Sequence, residues 1–493
     1  MKLIPTKIPI KVGNKYIAVL NQRAAHNFDL QPGDRVQIKN GRKAGIQALL
    51  DVSENGDIKD HEIGLYSETW EKLKTKRGDR LSVSIAEKPI CIQYIKDKLN
   101  GKRLSEKEIN EIIKAVVADD LSDVEMAYFV SGCYISGLDD KETVYLTKSI
   151  VNNGNRLKFK KKIVVDKHCI GGVPGNRTTM IVIPIITALG LTMPKTSSRA
   201  ITSPSGTADT MEVLANVKNN AKRLQQIGDK IGGFITWGGG VDLAAADDKM
   251  IRARHPLSLD PPGMLLASIM AKKHSVGANH VLIDIPMGPQ VKVKNIKEAK
   301  HLAERFKKIA KMLGMKIEVL ISNGDQPIGN GIGPVLECID VMKVLKMETD
   351  APKDLIKKSV KMAGILLELT KKARKGKGEK IALETLKSGA AYEQMIKIIK
   401  AQGDKKASLK PAKFTKKVLA KRNGKVRAIN NKLIAHIART AGAPLDAEAG
   451  VYLHKKLKDK VKKGEALYTI YADIKDRLKY TEQYDLNGAY TIK

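Results

Sequence analysis

The sequence predicts a multidomain α/β protein: an N-terminal small β-barrel-like domain, a helical domain plus a mixed α/β sheet domain, and a small C-terminal α+β domain. Three features lead there: short alternating segments between glycine turns, then a run of helix-capping pairs, then recurring strand–turn–helix units. The expected boundaries are 1–85, 86–160, 161–410 (with helical insertions) and 411–493. A chain of 493 residues has room for about three or four domains of ordinary size.

At the start, Tyr16–Leu20 and Arg35–Ile38 alternate between the turn signals Pro32-Gly33-Asp34, Asn40-Gly41 and Asn55-Gly56, and Gly78-Asp79 precedes Leu81-Ser82-Val83. The character changes near residue 95. Ser105/Glu108, Ser122/Glu125 and Asp139/Glu142 have capping-box spacing, and helical apolar spacing follows, as in Ile109, Ile112, Ile113 and Val116. From about 160, the β-branched Ile163-Val164-Val165 predicts a buried strand, followed by a glycine-rich turn and the apolar helix Thr179–Leu189. Strand-like Val281–Ile285 and Ile317–Ile321 recur between helical stretches. Lys371–Lys380 and Lys405–Lys417 are basic, and the second reads as a linker. Short strands return from about 412, with turns at Asn423-Gly424, Gly442–Pro444 and Lys463-Gly464.

Composition narrows the function. Hydrophobic residues at 42% suffice for real cores and argue against global disorder. No uncharged apolar run reaches the ~18 residues of a membrane span. Pro5, Lys7, Pro9 and Lys11 interrupt what would be a signal peptide's apolar stretch, so a cytoplasmic protein is expected. Cys91, Cys133, Cys169 and Cys338 are scattered with no CxxC pair, which predicts neither a metal site nor a disulfide framework. The net charge of +35 suits anionic substrates, or simply reflects solvated lysines. With aromatics at 4%, stacking platforms for nucleic acid are scarce, although the charge permits a basic nucleic-acid-binding protein.

Three segments carry chemistry. The first is Asp166–Thr179, between a predicted strand and a helix. Gly171 and Gly172 let amides approach an anion, Lys167 adds a full charge, and Thr178 and Thr179 add hydroxyls. A tight βα turn would use the same glycines. The second is Thr196–Asp209. Six of its first eight residues carry side-chain donors, which suits a sugar–phosphate as well as a hydroxyl-rich turn capped near Thr207. The third is Arg252–Gly263, leading to a helix where Ser268 and Lys272 share a face. Asp260, hemmed by prolines, reads as a stiffly held acid or as an N-cap. His255 is the best-placed histidine.

Together these segments resemble the thymidine/pyrimidine nucleoside phosphorylase family. Lys167–Val173 is similar to its KHSTGGV phosphate loop, Ser197–Arg199 with Gly206–Glu212 to its SGR…GGTxDxLE signature, and Ser268–Lys273 to its SIMSKK helix. Asn323–Glu337 resembles a further family loop, and the similarity spans roughly 90–490. Cys169 departs from the usual serine, and a thiol is a weak donor. The resemblance implies that the helical and α/β domains form the catalytic core. It implies phosphate contacts at Lys167, Gly171, Ser197 and Thr207, helped by Thr179, and base and sugar contacts at Arg254, Ser268 and Lys272. The extra N-terminal domain, the SSRAITSPSGTAD form of the signature and the LDPPG loop are most similar to the family's archaeal nucleotide phosphorylase branch. That branch implies nucleotide contacts at Gly172, Ser198, Arg199, Ala200, Ile201, Thr202, Ser203, Thr207, Ser268 and Lys292, with Asp260 as proton donor. The implied reaction is AMP + phosphate → adenine + α-D-ribose 1,5-bisphosphate, with CMP and UMP as open alternatives, no cofactor, and a homodimer or higher homo-oligomer. Proton donation requires burial or nearby anions to keep Asp260 protonated. A pyrimidine nucleoside phosphorylase and a phosphoribosyltransferase of related fold are the rival readings.

Overall fold

The computed structural model describes all residues except 14, 42–44, 55, 88, 201, 202, 242, 255, 258 and 407. The Asn55-Gly56 turn and the expected site residues Ile201, Thr202 and His255 therefore fall, wholly or in part, outside the described residues. The chain divides into two compact units, Met1–Ser136 and Gly137–Lys493.

In the first unit, six strands form a closed barrel: β1 (Lys2–Ile8), β2 (Ile17–Asn21), β3 (Arg35–Asn40), β4 (Ile46–Ser53), β5 (Glu62–Tyr66) and β6 (Leu81–Ile85), in the order β1-β5-β2-β4-β3-β6. Closure comes from Lys2↔Ser82 and Leu3↔Leu81, which removes the open edges that invite aggregation. Ala18, Leu20, Val36, Ile38, Leu50, Ile63 and Leu65 fill the interior. Two one-turn helices that alternation could not reveal, α1 (Gln22–Asn27) and α2 (Ser67–Lys72), connect strands. Then come α3 (Cys91–Leu99), α4 (Glu106–Ala118) and α5 (Asp123–Ile135), while α6 (Asp140–Asn152) opens the second unit. All three capping boxes form at the expected residues: each cap side chain accepts the amide three residues on, and the glutamate there returns to the cap amide.

The second unit is built on parallel strands β7 (Val165–Cys169), β8 (Met193–Ser197), β9 (Gly233–Trp237), β10 (His280–Met287) and β11 (Lys316–Asn323). β7, β10 and β11 form one parallel ladder, β8 and β9 another. A single parallel bridge, Val164↔Thr192, joins them. The spatial order is thus β11-β10-β7-β8-β9, and the strand order reverses at β7. In open α/β sheets such a reversal leaves a crevice outside the carboxyl ends of the strands, where ligands bind.

The sequence places a strand on Ile163–Val165 and Lys167 in the following loop. Instead the strand starts at Val165 and carries Asp166-Lys167-His168-Cys169 into register with β10, from Val165↔His280 to Cys169↔Asp284. Charges interrupt the apolar run, but buried partners neutralise them, which a hydropathy pattern does not show.

The helices of this core are α7 (Thr178–Ala188), α8 (Thr207–Leu214), α9 (Ala221–Ile231), α10 (Ala245–Arg254), α11 (Pro262–Ser275), α12 (Ile296–Met312), α13 (Pro334–Leu345), α14 (Lys353–Leu369), α15 (Gly378–Lys387) and α16 (Ala390–Gln402). α7 is buried along its length and packs with α14 and α16 in the largest apolar cluster. On the other side, α12 meets α6, where Arg305 pairs with Asp140 at 3.1 Å.

The C-terminal part folds as two small sheets. One has the order β12-β15-β17-β13 and the other β16-β14-β18, from β12 (Gly331–Ile332), β13 (Phe414–Leu419), β14 (Gly424–Ile429), β15 (Gly450–Leu453), β16 (Lys460–Val461), β17 (Ala466–Ala472) and β18 (Tyr490–Ile492). α17 (Asn431–Thr440) and α18 (Lys475–Thr481) pack on them. β12 belongs in sequence to the loop after β11, yet pairs with β15 through Gly331↔Tyr452 and Ile332↔Val451. The C-terminal sheet thereby anchors a loop from the carboxyl edge of the core.

Ile283 is fully buried in mid-β10. Ile283→Ala should destabilise the core by about 2–5 kcal/mol, through lost transfer energy and an unfilled cavity. The check is the thermal midpoint of the core transition, which should fall by several degrees.

Candidate active site

The expected site segments gather at the carboxyl ends of the core strands. Lys167 lies two residues from the end of β7 and is 1% exposed. Its Nζ donates to Thr178 Oγ1 at 2.6 Å, and Thr178 donates to Asn176 Oδ1 at 3.2 Å. Burial pushes the Lys167 ammonium down to about 8, against the pull of Asp284 and Asp166. Beneath it, Asp166 accepts the Lys167 amide at 2.6 Å, binds Lys273 Nζ, and pairs with Lys195 at 3.5 Å. Lys195 also donates to the Lys167 carbonyl at 2.9 Å. Both backbone polar groups of Lys167 are thus held by buried charges. Alongside, Lys358 pairs with Asp284 at 2.9 Å, and Ser322 donates to Asp284 at 2.5 Å. Three buried lysines (167, 195, 273) and the partly exposed Lys358 face two buried aspartates (166, 284) in this cluster. The surplus is positive, and an anion at the strand ends would balance it.

Burial pushes the His168 imidazole well below its usual value, with Lys273 and Lys195 adding to the effect, so it stays neutral. Burial pushes the Cys169 thiol up to about 12. It accepts a hydrogen bond from Asn176 Nδ2 at 3.3 Å and is no nucleophile at neutral pH. Gly171 and Gly172 both have φ of 94°, in the region that favours glycine. A Cβ on Gly172 would stand 3.0 Å from Val291 Cβ and 3.2 Å from the Lys292 amide nitrogen. The Gly171-Gly172 backbone therefore lies directly on the loop after β10.

The hydroxyl-rich loop starts at Ser197, the last residue of β8. It is folded around Asp209, in the first turn of α8, whose carboxylate accepts the amides of Ala200 (2.7 Å) and Gly206 (2.8 Å). Arg199 pairs with Asp209 at 3.1 Å and with Glu212, and its guanidinium lies 5.3 Å from the centre of the Trp237 ring. The Arg199 charge and the Ala200 amide thus hold the loop itself. Ser198 and Ser203 remain at the loop's accessible positions, while Thr207 opens α8 and Thr179 is second in α7. Both helix N-termini add partial positive charge at the crevice.

Arg177 ties these loops together. It is buried and bonds Glu337, Thr210 Oγ1 (3.0 Å) and the Ser205 carbonyl (2.5 Å). From the C-terminal sheet region, Arg439 donates to the Ser203 carbonyl at 3.3 Å, and Asn431 to the Gly324 carbonyl at 2.9 Å.

In the third segment, Ser268 donates to Asp247 Oδ2 at 2.7 Å, and Lys272 pairs with the same carboxylate at 2.8 Å. Burial works against the Lys272 charge, but Asp247 and Asp248 outweigh it and raise its pKa. Asp260 is not an N-cap, because Pro261 holds that position before α11. Its carboxylate pairs with Arg254 at 3.3 Å and Lys292 at 2.9 Å, and its side chain is 41% exposed. The proline-framed loop thus leaves Asp260 half open, between two cations. A chain of contacts now links the expected residues, from Gly172 to the Lys292 backbone and from Lys292 through Asp260 to Arg254.

Asp247 and Lys195 lie outside the segments the sequence singled out, and the pairings of Arg177, Glu337, Asp166 and Lys273 were not read from it. A usable signal existed for one further member of the cluster: Asp284 is a charge inside the otherwise apolar run Val281–Met287. Among the described residues, no cluster of histidine, cysteine or acidic side chains is arranged to hold a metal.

Glu337→Gln should leave Arg177 buried without its counter-charge. Breaking one partner of a buried pair costs about 3–5 kcal/mol. The measurement is thermal unfolding of the variant against Arg177→Met/Glu337→Gln, which should recover part of the loss.

Comparison with known proteins places the chain in a family. Residues 92–154 match the helical bundle domain of a glycosyl transferase family, 161–392 its a/b domain, and 425–493 the pyrimidine nucleoside phosphorylase C-terminal domain. A protein named AMP phosphorylase from Methanococcoides burtonii is 41% identical over 483 residues, covering 97% of this chain and 94% of its own. Its namesake from Pyrococcus furiosus is 42% identical, covering 96% of this chain and 93% of its own. A putative thymidine phosphorylase from Legionella pneumophila is 42% identical over 92% of this chain and 88% of its own. The solved anthranilate phosphoribosyltransferase of Thermus thermophilus shares the fold, with a TM-score of 0.53 at 17% identity over 62% of this chain and 98% of that one. The chain belongs to the thymidine/pyrimidine nucleoside phosphorylase family, whose core is the helical-bundle and a/b pair of the glycosyl transferases.

Proposed function

We propose that the protein is a nucleoside 5′-monophosphate phosphorylase, converting AMP and phosphate to adenine and α-D-ribose 1,5-bisphosphate. The observation that carries this reading is the buried positive surplus around Lys167 at the strand ends, a seat for an anion. The names of full-length relatives point to AMP as the other substrate.

In this reading Lys167, the Gly171 and Gly172 amides, Ser197, Thr207 and Thr179 hold inorganic phosphate. Its oxygen forms a bond to C1′ as the C1′–N9 bond breaks through an oxocarbenium-like transition state. The gain comes from holding the nucleophile in place and from preset charges. Arg254, Ser268 and Lys272 face the base and sugar, and Asp247 fixes the last two. Asp260 protonates N7, so adenine leaves neutral, a contribution of typically ~10²–10⁴-fold. Ser198, Ser203 and Lys292 meet the 5′-phosphate. The substrates contain every reacting group, so the reaction as written calls for no cofactor. CMP and UMP are candidate further substrates, and the working form is a homo-oligomer.

Incubation with phosphate and a panel of nucleotides and nucleosides, with free base quantified, tests the assignment. AMP should far exceed adenosine; equal efficiencies would refute a nucleotide substrate. The relative named a thymidine phosphorylase favours a second reading, which dominant thymine release from thymidine would support. Asp260→Asn should abolish turnover and largely keep AMP affinity, measured by equilibrium binding.

A further inference from the structure

We propose that Lys292 is a specificity-determining positioning residue. Without ligand it holds Asp260 in an ion pair, and the 5′-phosphate of a nucleotide draws it away and so arms the acid. The inference rests on the proposed function.

The two oxygens of Asp260 are both engaged: Oδ1 faces Arg254 Nη1 and Oδ2 faces Lys292 Nζ. A carboxylate held by two cationic donors acts only as an acceptor. To deliver a proton to a base, one oxygen must first be vacated and protonated.

The two cations differ in freedom. The Arg254 side chain is 11% exposed, at the end of α10. The Lys292 side chain is 49% exposed, on the loop between β10 and α12. A lysine ammonium is a compact charge on a flexible stem with rotatable donors, so Lys292 is the partner that can change acceptor. Its backbone lies against Gly172, at the loop assigned to phosphate. The same residue therefore has a carboxylate within reach of its ammonium and its backbone on the Gly171-Gly172 loop.

A phosphate dianion attracts an ammonium more strongly than a carboxylate does. Once Lys292 turns to the 5′-phosphate, Asp260 loses a neighbouring cation and gains a nearby anion. Both changes favour its protonated form. The proton enters Oδ2 from solvent and passes to N7 as the C1′–N9 bond breaks. A nucleoside brings no 5′-phosphate, so its Asp260 stays paired. Selection for the nucleotide then appears in kcat as well as in KM.

The test uses the full-length protein with Lys292→Gln and Lys292→Arg, assayed for phosphorolysis of AMP and of adenosine at saturating phosphate across pH. Lys292→Gln should lower kcat/KM for AMP yet raise adenosine turnover about fivefold, the scale of a half-exposed ion pair. It should also extend adenosine turnover to higher pH. Lys292→Arg, which keeps a cation on Asp260, should show no such rise in adenosine turnover. If wild-type protein releases adenine from AMP but adenosine turnover in Lys292→Gln is unchanged or lower, Lys292 only binds substrate and the inference falls alone. If wild-type protein releases no base from AMP, the underlying reading falls and takes the inference with it.

Discussion

The site depends on a lysine placed where a lysine is costly. Lys167 is carried into the core by a strand that must pair with β10, and its ammonium has one hydroxyl and a thioether for neighbours. An isolated buried ammonium would be expelled or neutralised. Here the Asp166–Lys195–Lys273 cluster fixes its backbone from below, and the first turn of α7 fixes its tip. What the cluster does not supply is enough negative charge. In the proposed reading, that deficit is what an anion fills at the point where the strand order reverses.

The remaining loops are built so that this seat has fixed walls. Arg177 joins the loops after β7, β8 and β11 through Thr210, Ser205 and Glu337. The loop after β11 ends in β12, which is a strand of the C-terminal sheet. Asp209 does inside the hydroxyl-rich loop what Asp247 does for Ser268 and Lys272: a buried carboxylate uses its acceptor capacity to fix donors. Preorganised donors cost no rearrangement during reaction, which is where such sites gain most of their rate. Asp260 is the exception, half exposed and held by cations, so it is the part of the site most open to control by substrate.

Much of this was legible in the sequence. The capping pairs at Ser105, Ser122 and Asp139 declared their helices, because the signal is local and involves atoms three residues apart. The three site segments were legible because glycines, hydroxyls and a lysine cluster in order along the chain. Contacts between distant residues were not. Arg177 and Glu337 are 160 positions apart, and Lys273 and Asp166 are 107 apart, so nothing local marks them as partners. The start of β7 was misplaced for the same reason: its charges look like loop until their partners are known. The intraloop contacts of Arg199 and the Ala200 amide were not legible either, because a donor-rich loop gives no hint of which donors its own fold engages.

The account stands or falls on the charge of Lys167. Burial lowers its pKa to about 8, so the charged form dominates below that pH and is lost above it. The direct measurement is calorimetric titration of inorganic phosphate, at a series of pH values on both sides of that point, into wild-type protein and Lys167→Met. Wild-type affinity should fall as pH rises through the titration, at a point moved upward by the bound anion, and the variant should bind at least about tenfold more weakly with no such fall. Equal phosphate affinity in the two proteins, with the same pH profile, would contradict the account.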